Sequence, residues 1–268
     1  MKIGTKDPEY LSTLERGLRV LCAFDEDHSE MTLTQVAVQT ALSPAVARRC
    51  LNTLVELGYV GRHGRQFLLK PAVLTLGSAF LASMRIEQIC LPPLRHLRDQ
   101  TGDSASLSVL SGSDILYVAH VSTDRHFRLA ANVGTRYPFH ATSMGKVLVA
   151  FADDPVRTTL TADTELIGLT EHTITDQAAL IERLKLVRER VYDSALDELD
   201  YGIVSVAVPI FDKDQRAIAA INCSTSTTRI SQAELVRTRL PLLREAAGEI
   251  EQSIKRWPAL VHALTQNA

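Results

Sequence analysis

The sequence predicts an α+β fold in two parts, on three observations. Apolar residues recur at three- and four-residue spacing through the N-terminal quarter, two-residue alternation sets in after residue 103, and a long helical pattern closes the chain after residue 230. The 268 residues are 46% hydrophobic and 22% charged, enough for a core in each part and too apolar for a mainly disordered chain.

Ser12-Thr13-Leu14-Glu15 fits a capping box, and Leu11, Leu14, Leu18, Leu21 and Phe24 form one apolar stripe of a first helix that ends in Asp25-Glu26-Asp27. A second box, Thr32-Leu33-Thr34-Gln35, opens a short helix. After a break at Thr40-Ala41-Leu42, Ser43 caps a third helix with Pro44 at its first position, where a missing N–H costs nothing. Val46, Cys50, Leu51, Leu54 and Leu57 make its buried face, and Ala45, Arg48, Arg49 and Asn52 share the opposite side. Arginine can donate twice to a guanine edge, and asparagine can both donate to and accept from adenine, so this face suits a helix in a major groove. Gly58 stops the helix, and Gly61-Arg62-His63-Gly64-Arg65 is a basic turn between two short extended runs. Helix, turn, helix and cationic hairpin make a winged helix-turn-helix. Ser43, Ala45, Arg48, Arg49 and Asn52 are its candidate DNA contacts, with Arg62 and Arg65 as phosphate grips.

Charge agrees with that placement. The whole chain carries a formal −2, yet residues 41–75 hold five cations against the single acid Glu56. From Pro71 a further helix carries Val73, Leu76, Gly77, Phe80, Leu81 and Met84 on one side, a stripe without a partner inside a small domain. Pro92-Pro93 interrupts the helical pattern, which resumes with Leu94 and Leu97 and stops at Gly102. The expected organisation is a DNA-binding domain at 1–75, a linker and dimerisation helix at 76–95, and a second domain at 96–260.

In that second domain, strands are expected at Ser104 to Leu110, Ile115 to Val121, Phe127 to Val133, Ile203 to Phe211 and Ala217 to Ser224. Helices are expected at Ser143 to Phe151 and Asp176 to Val191, with a last one from Ser231 towards Trp257. Hairpins flanked by helices imply an antiparallel sheet with helices packed on it. No apolar run approaches the roughly 20 residues that span a bilayer, and the first eight residues lack a signal-peptide core, so a cytoplasmic chain without membrane association is expected. Cys22, Cys50, Cys90 and Cys223 lie far apart, with neither metal-ligand spacing nor a disulfide framework, and no cofactor or metal is expected.

These residues resemble the IclR family of bacterial transcriptional regulators over nearly the whole chain. The resemblance is carried by 14–21 in the first helix, Leu42-Ser43-Pro44 through Leu57-Gly58-Tyr59-Val60, Leu74-Thr75-Leu76-Gly77, and Val133-Gly134-Thr135-Arg136-Tyr137-Pro138 with 140–146. Tyr117-Val118-Ala119, Ala141-Thr142-Ser143-Met144-Gly145 and Ser205-Val206-Ala207-Val208-Pro209 resemble the subgroup that senses protocatechuate, 4-hydroxybenzoate and β-ketoadipate pathway compounds. The resemblance implies a GAF-like C-terminal domain that binds a small organic acid, a homodimer or tetramer, the dimers being able to associate into tetramers, and double-stranded operator DNA as a partner. It also implies an effector pocket at His126, Leu129, Ser143, Met144, Ile203, Ser205, Asn222 and Ser224. Two departures stand out: Gly202-Ile203-Val204-Ser205 replaces the subgroup's Gly-Leu-Arg-Ser, and Ala41 stands at a turn that usually has glycine.

The reading that follows is a ligand-responsive DNA-binding regulator and not an enzyme. A stand-alone small-molecule binder is one alternative. A serine acyl enzyme is another, because Ser143-Met144-Gly145-Lys146 fits S-x-x-K, although no Lys-Thr-Gly accompanies it. Gly145-Lys146 lacks Walker spacing. Arg128 and Arg136 flank the implied pocket, lone histidines such as His120 and His140 read as strand or loop residues, and Asp197, Glu198 and Asp200 read as a solvated acidic turn.

Overall fold

The computed structural model describes residues 9–25, 27–123 and 131–264. The chain divides into two compact units between Phe80 and Leu81, each with its own apolar core.

The first unit runs α1 (Ser12–Leu21), β1 (Glu30–Thr32), α2 (Leu33–Gln39), α3 (Pro44–Glu56), β2 (Val60–His63) and β3 (Gln66–Leu69). A 3₁₀ turn at Pro71–Val73 then leads into α4 (Leu74–Ser83). The strands pair antiparallel in the order β1-β3-β2. Local chemistry sets the helix starts. Thr32 Oγ accepts from Gln35 N–H while Gln35 Oε1 accepts from Thr32 N–H at 2.8 Å, a reciprocal capping box. Ser43 Oγ accepts from Val46 N–H at 3.4 Å, with Pro44 in the first turn. Ala41 takes φ +51 between the two helices, so the glycine of related turns is replaced at some strain.

The first helix departs from expectation. Ser12 does not cap it; Leu11 occupies that position without a side-chain bond. Val20 enters the core, while Leu11, Leu14 and Leu18 are 69, 60 and 50% exposed. With Val46, Leu54 and Leu57 they line a groove of about 550 Å³ between α1 and α3. Leu57 is 62% exposed and Ala47, fully buried, takes its expected place in the core. None of the residues of α4 is buried.

The second unit runs α5 (Ile86–Ile89), α6 (Leu91–Thr101), β4 (Ser104–Ser111), β5 (Asp114–Val121), β6 (Arg136–Pro138), α7 (Ser143–Ala150) and α8 (Asp154–Asp163). It continues with α9 (Gln177–Arg190), β7 (Asp193–Leu196), β8 (Ile203–Phe211), β9 (Ala217–Ser226), α10 (Gln232–Ile254) and α11 (Pro258–Leu264). Six strands form one antiparallel sheet in the order β6-β5-β4-β9-β8-β7. Period-2 alternation divides its faces: Ala207 and Ala220 pack with Met144, Val147 and Leu148 of α7, while their neighbours Val206 and Ile221 are buried on the side where α6 and α10 lie.

Several boundaries shift. Pro92 and Pro93 fall in the first turn of α6, where proline is tolerated, so they start a helix instead of breaking one. Most of the strand expected at 127–133 lies outside the described residues, and Asn132 and Val133 are not in a strand. β6, α8 and β7 add elements the sequence reading lacked, and the last long helix ends at Ile254, with α11 beyond. Among the described residues no helix is long and apolar enough to cross a membrane.

Candidate nucleic-acid interface and ligand cavity

α3 presents Ala45, Arg48, Arg49 and Asn52 to solvent, and Cys50, Leu51 and Leu54 to the core. Arg49 also borders the apolar groove, so Ala45, Arg48 and Asn52 are the outermost of the four. Ser43 Oγ is occupied as an acceptor by the cap, which leaves its O–H free to donate. After α3, Gly58 turns the chain at φ +78 into a β2–β3 hairpin closed by Gly64 and Arg65, with His63 opposite Gln66. Arg65 is exposed at the tip. Arg62 leans back instead: its Nη2 donates to Asn52 Oδ1 at 2.5 Å, and its guanidinium lies 5.2 Å from the centre of the Phe67 ring.

The second unit holds a cavity of about 370 Å³ against the α7 face of the sheet. Its floor is unusual for a buried sheet. Ser106 pairs with His120 on β5 and with Asn222 on β9, and Ser224 pairs with Ser104 on β4 and with Ser205 on β8. All six line the cavity, so neighbouring strands present two rows of hydroxyl, imidazole and amide groups where an empty core would hold apolar side chains. Ser106 Oγ is 2.9 Å from His120 Nδ1, and burial lowers the His120 pKa below 6.5, which favours the neutral ring. Asn222 Oδ1 is buried with no hydrogen-bond partner among the described residues. Opposite lies the start of α7. Thr142 Oγ accepts from Gly145 N–H at 3.0 Å, and the N–H groups of Ser143 and Met144 have no acceptor inside the helix.

Five residues of the implied pocket meet here: Ser143, Ile203, Ser205, Asn222 and Ser224 all line the cavity, and Ser143 Oγ lies 2.8 Å from Ser205 Oγ. Met144 does not. It is buried in the core, where its sulfur accepts from Ser108 Oγ. His126, Leu129 and Arg128 lie outside the described residues. Arg136 is held away at the β4–β5 turn by Asp114 and by the side chain and carbonyl of Ser111.

The acidic turn is not a solvated one. Glu198 lines the cavity and is buried. Its Oε2 is 2.5 Å from Nζ of the fully buried Lys146, which also faces Asp193 at 3.4 Å. Arg183 pairs with the other oxygen of Asp193 at 2.7 Å, so two cations balance two carboxylates beneath the cavity wall. Lys146 is thus committed to carboxylates and not to Ser143, which removes the base that an S-x-x-K reading requires. Asp197 and Asp200 accept from the N–H groups of Gly202 and Tyr201 and hold the same turn. Among the described residues there is no cluster that could hold a metal ion.

Ser104, Ser106, His120 and Glu198 are cavity residues that the sequence reading did not place. For the serines the signal was present: serine at 104, 106 and 108, alternating with apolar residues, puts polar groups on one face of a strand.

Comparison with known proteins agrees with both halves. Residues 13–64 match the IclR helix-turn-helix domain and residues 78–252 match the bacterial transcriptional regulator IclR C-terminal domain. Over 247 residues the chain is 36% identical to the Pca regulon regulatory protein of Pseudomonas putida, covering 92% of this chain and 85% of that one. It is 34% identical to the p-hydroxybenzoate hydroxylase transcriptional activator of Acinetobacter baylyi, covering 94% of each. A solved transcriptional regulator from Rhodococcus is similar with a TM-score of 0.77 and 38% identity, over 92% of this chain and 99% of that one. An IclR homologue from Microbacterium hydrocarbonoxydans, complexed with 4-hydroxybenzoate, is similar with a TM-score of 0.76 and 25% identity, over 91% and 99%. With both of its units matched, the chain belongs to the IclR family of bacterial transcriptional regulators, proteins that bind DNA through a helix-turn-helix.

Proposed function

We propose that this regulator controls an operon for aromatic-acid breakdown, binding an aromatic carboxylate in the cavity of its second unit and operator DNA through Ala45, Arg48, Arg49, Asn52 and the wing. In this reading 1–75 is the DNA-binding domain, 76–95 a linker through which two copies pair, and 96–260 the effector domain. The observation that carries the reading is the polar sheet floor facing the open start of α7. Two N–H groups without an acceptor inside the helix and the positive end of the helix dipole suit a carboxylate. Tyr117, Ala141, Ala195 and Ile203 suit an aromatic body, and the Ser106–His120 pair and Asn222 offer partners for a ring substituent. Glu198 does not repel the anion, because Lys146 neutralises it. Two relatives support the choice of acid: one is named for p-hydroxybenzoate hydroxylase, and another was solved with 4-hydroxybenzoate.

The test is a titration of the full chain with 4-hydroxybenzoate, protocatechuate, benzoate and succinate, followed by melting. A ligand at 100 times its dissociation constant stabilises the folded state by about 2.7 kcal/mol, a readable shift. An aromatic acid should produce that shift, succinate should not, and Ser143→Ala and Asn222→Ala should each shrink it. If no aromatic acid binds, or if both variants bind as tightly as the parent, this cavity is not the effector site.

A further inference from the structure

We propose that Arg85 is a two-state joint in the segment that connects the two units, and that its state sets the affinity for DNA. Stacked on Trp257, it keeps α4 and α5 apart as two helices; released, it lets them run on as one. The proposal goes beyond the effector reading and does not rest on it.

The break at residue 85 is not written in the residues around it. Residues 81–89 read Leu-Ala-Ser-Met-Arg-Ile-Glu-Gln-Ile, without glycine, asparagine or proline. Leucine, alanine, methionine, arginine, glutamate and glutamine are good helix formers, so this segment by itself favours one continuous helix. Yet α4 ends at Ser83 and α5 begins at Ile86, with Arg85 left-handed at φ +54 and ψ +33. An L-residue is strained in that conformation, and helix ends that use it ordinarily carry glycine, as α6 does with Gly102 at φ +68. Contacts from outside the segment must therefore impose the break.

Those contacts lie within the second unit. Ile86 and Ile89 are 1 and 7% exposed and anchor α5, whose N–H groups at Gln88 and Ile89 donate to the Arg85 carbonyl at 3.1 and 3.0 Å. The Arg85 guanidinium lies 4.1 Å from the centre of the Trp257 ring. Trp257 turns the corner between α10 and α11. Its N–H donates to the Ile254 carbonyl at 2.8 Å, its carbonyl accepts from Leu260 N–H at 3.0 Å, and Ile254 and Leu260 are both buried. The ring thus stands on a fixed base, while Arg85 is exposed.

The left-handed backbone costs, and an exposed cation–π contact returns, comparable small amounts, so the two states lie close in free energy. With residue 85 right-handed, the N–H groups of Ile86 and Glu87 gain the carbonyls of Ala82 and Ser83 as acceptors, and α4 leaves α5 in a new direction. The joint also adjoins the wall of the cavity, because α5 packs on β5, the strand that brings Tyr117 and His120 there.

The experiment compares the full chain with Arg85→Ala, Arg85→Gly and Trp257→Leu, all without acid. Both Arg85 variants delete the guanidinium, but alanine favours the helix and glycine the left-handed state. Amide hydrogen exchange over residues 84–89 reads the joint. Titration with a duplex that the parent selects from a randomised pool reads its effect on DNA. Exchange in Arg85→Ala should be slower than in Arg85→Gly by at least about fivefold, and Trp257→Leu should exchange more slowly than the parent. Duplex affinity should move from the parental value in opposite directions in Arg85→Ala and Arg85→Gly. A contact that only fastens the surface predicts that these two variants behave alike. Equal exchange in the two, faster exchange in Trp257→Leu, or duplex affinities that shift together or not at all overturns the proposal. No arm uses an acid, so the joint and the effector assignment fail separately.

Discussion

Val191 closes α9 with φ +58, a conformation in which Cβ crowds the carbonyl and which a β-branched side chain tolerates worst. The left-handed state costs an L-residue roughly 1–2 kcal/mol, whereas glycine adopts it freely and gives back part of that gain, about 0.5–1 kcal/mol, through a more flexible unfolded chain. Val191 is 36% exposed, so its removal also gives up some apolar burial, which offsets part of the gain. Val191→Gly should therefore raise stability by less than about 1 kcal/mol, read as a higher denaturant midpoint with an unchanged slope. A lower midpoint would mean that the side chain is held by packing that outweighs the backbone strain. Ala41, at φ +51, carries the same strain with a smaller side chain, and the corresponding glycine variant should gain less.

At the scale of elements, α7 is the piece on which the effector site depends, and Gly145 fixes its position. A Cβ at residue 145 would lie 2.2 Å from the Phe139 carbonyl oxygen and 2.4 Å from Phe139 Cα, both backbone atoms that cannot swing aside. Gly145→Ala must push the start of α7 off the Phe139–Ala141 turn, at a cost of about 1–3 kcal/mol, and move the Ser143 and Met144 N–H groups with it. It should weaken binding of an aromatic acid as well as lower the melting point. Gly248→Ala in α10, where a Cβ meets nothing within 4 Å, should do neither. Equal acid affinity in Gly145→Ala and the parent would separate the helix start from the site. Elements differ in how far their own residues announce them. The starts of α2, α3, α9 and α10 are legible because Thr32, Ser43, Asp176 and Ser231 each bond an N–H three residues on, an interaction contained within one turn. β6 has three residues and among the described residues pairs only with β5, so it exists through its partner and leaves no pattern of its own. The site follows the same rule. Ser143, Ser205 and Asn222 are reached through likeness to a family. His120 shares a face with Ser106 through strand register near a bulge, and Glu198 is buried because of Lys146, far off in sequence. Neither relation is local, and neither is written in the residues around it.

For the whole molecule, function requires that the two units exchange free energy, and thermodynamics constrains how. If an acid in the cavity changes the affinity of the reading helix for its operator by some factor, the operator must change the affinity for the acid by the same factor. Couplings of this kind are typically about 1–3 kcal/mol, a 5- to 150-fold effect. The DNA side is separable in measurement because residues 41–75 carry five cations against one acid, so added salt weakens operator binding steeply while leaving the cavity of the second unit largely alone. The prediction is that 4-hydroxybenzoate changes operator affinity at least fivefold, and that a saturating operator duplex changes 4-hydroxybenzoate affinity by the same ratio at one salt concentration. Calorimetric titration of the acid with and without duplex supplies one ratio, and a gel-shift or fluorescence titration of the duplex with and without acid supplies the other. Glu198→Gln, which alters the cavity wall but not α3, should change the acid's affinity while leaving operator affinity in the absence of acid at the parental value. Tight acid binding with a ratio of one in both directions would mean that the acid does not act through DNA affinity, and that its signal must be read at a later step of transcription.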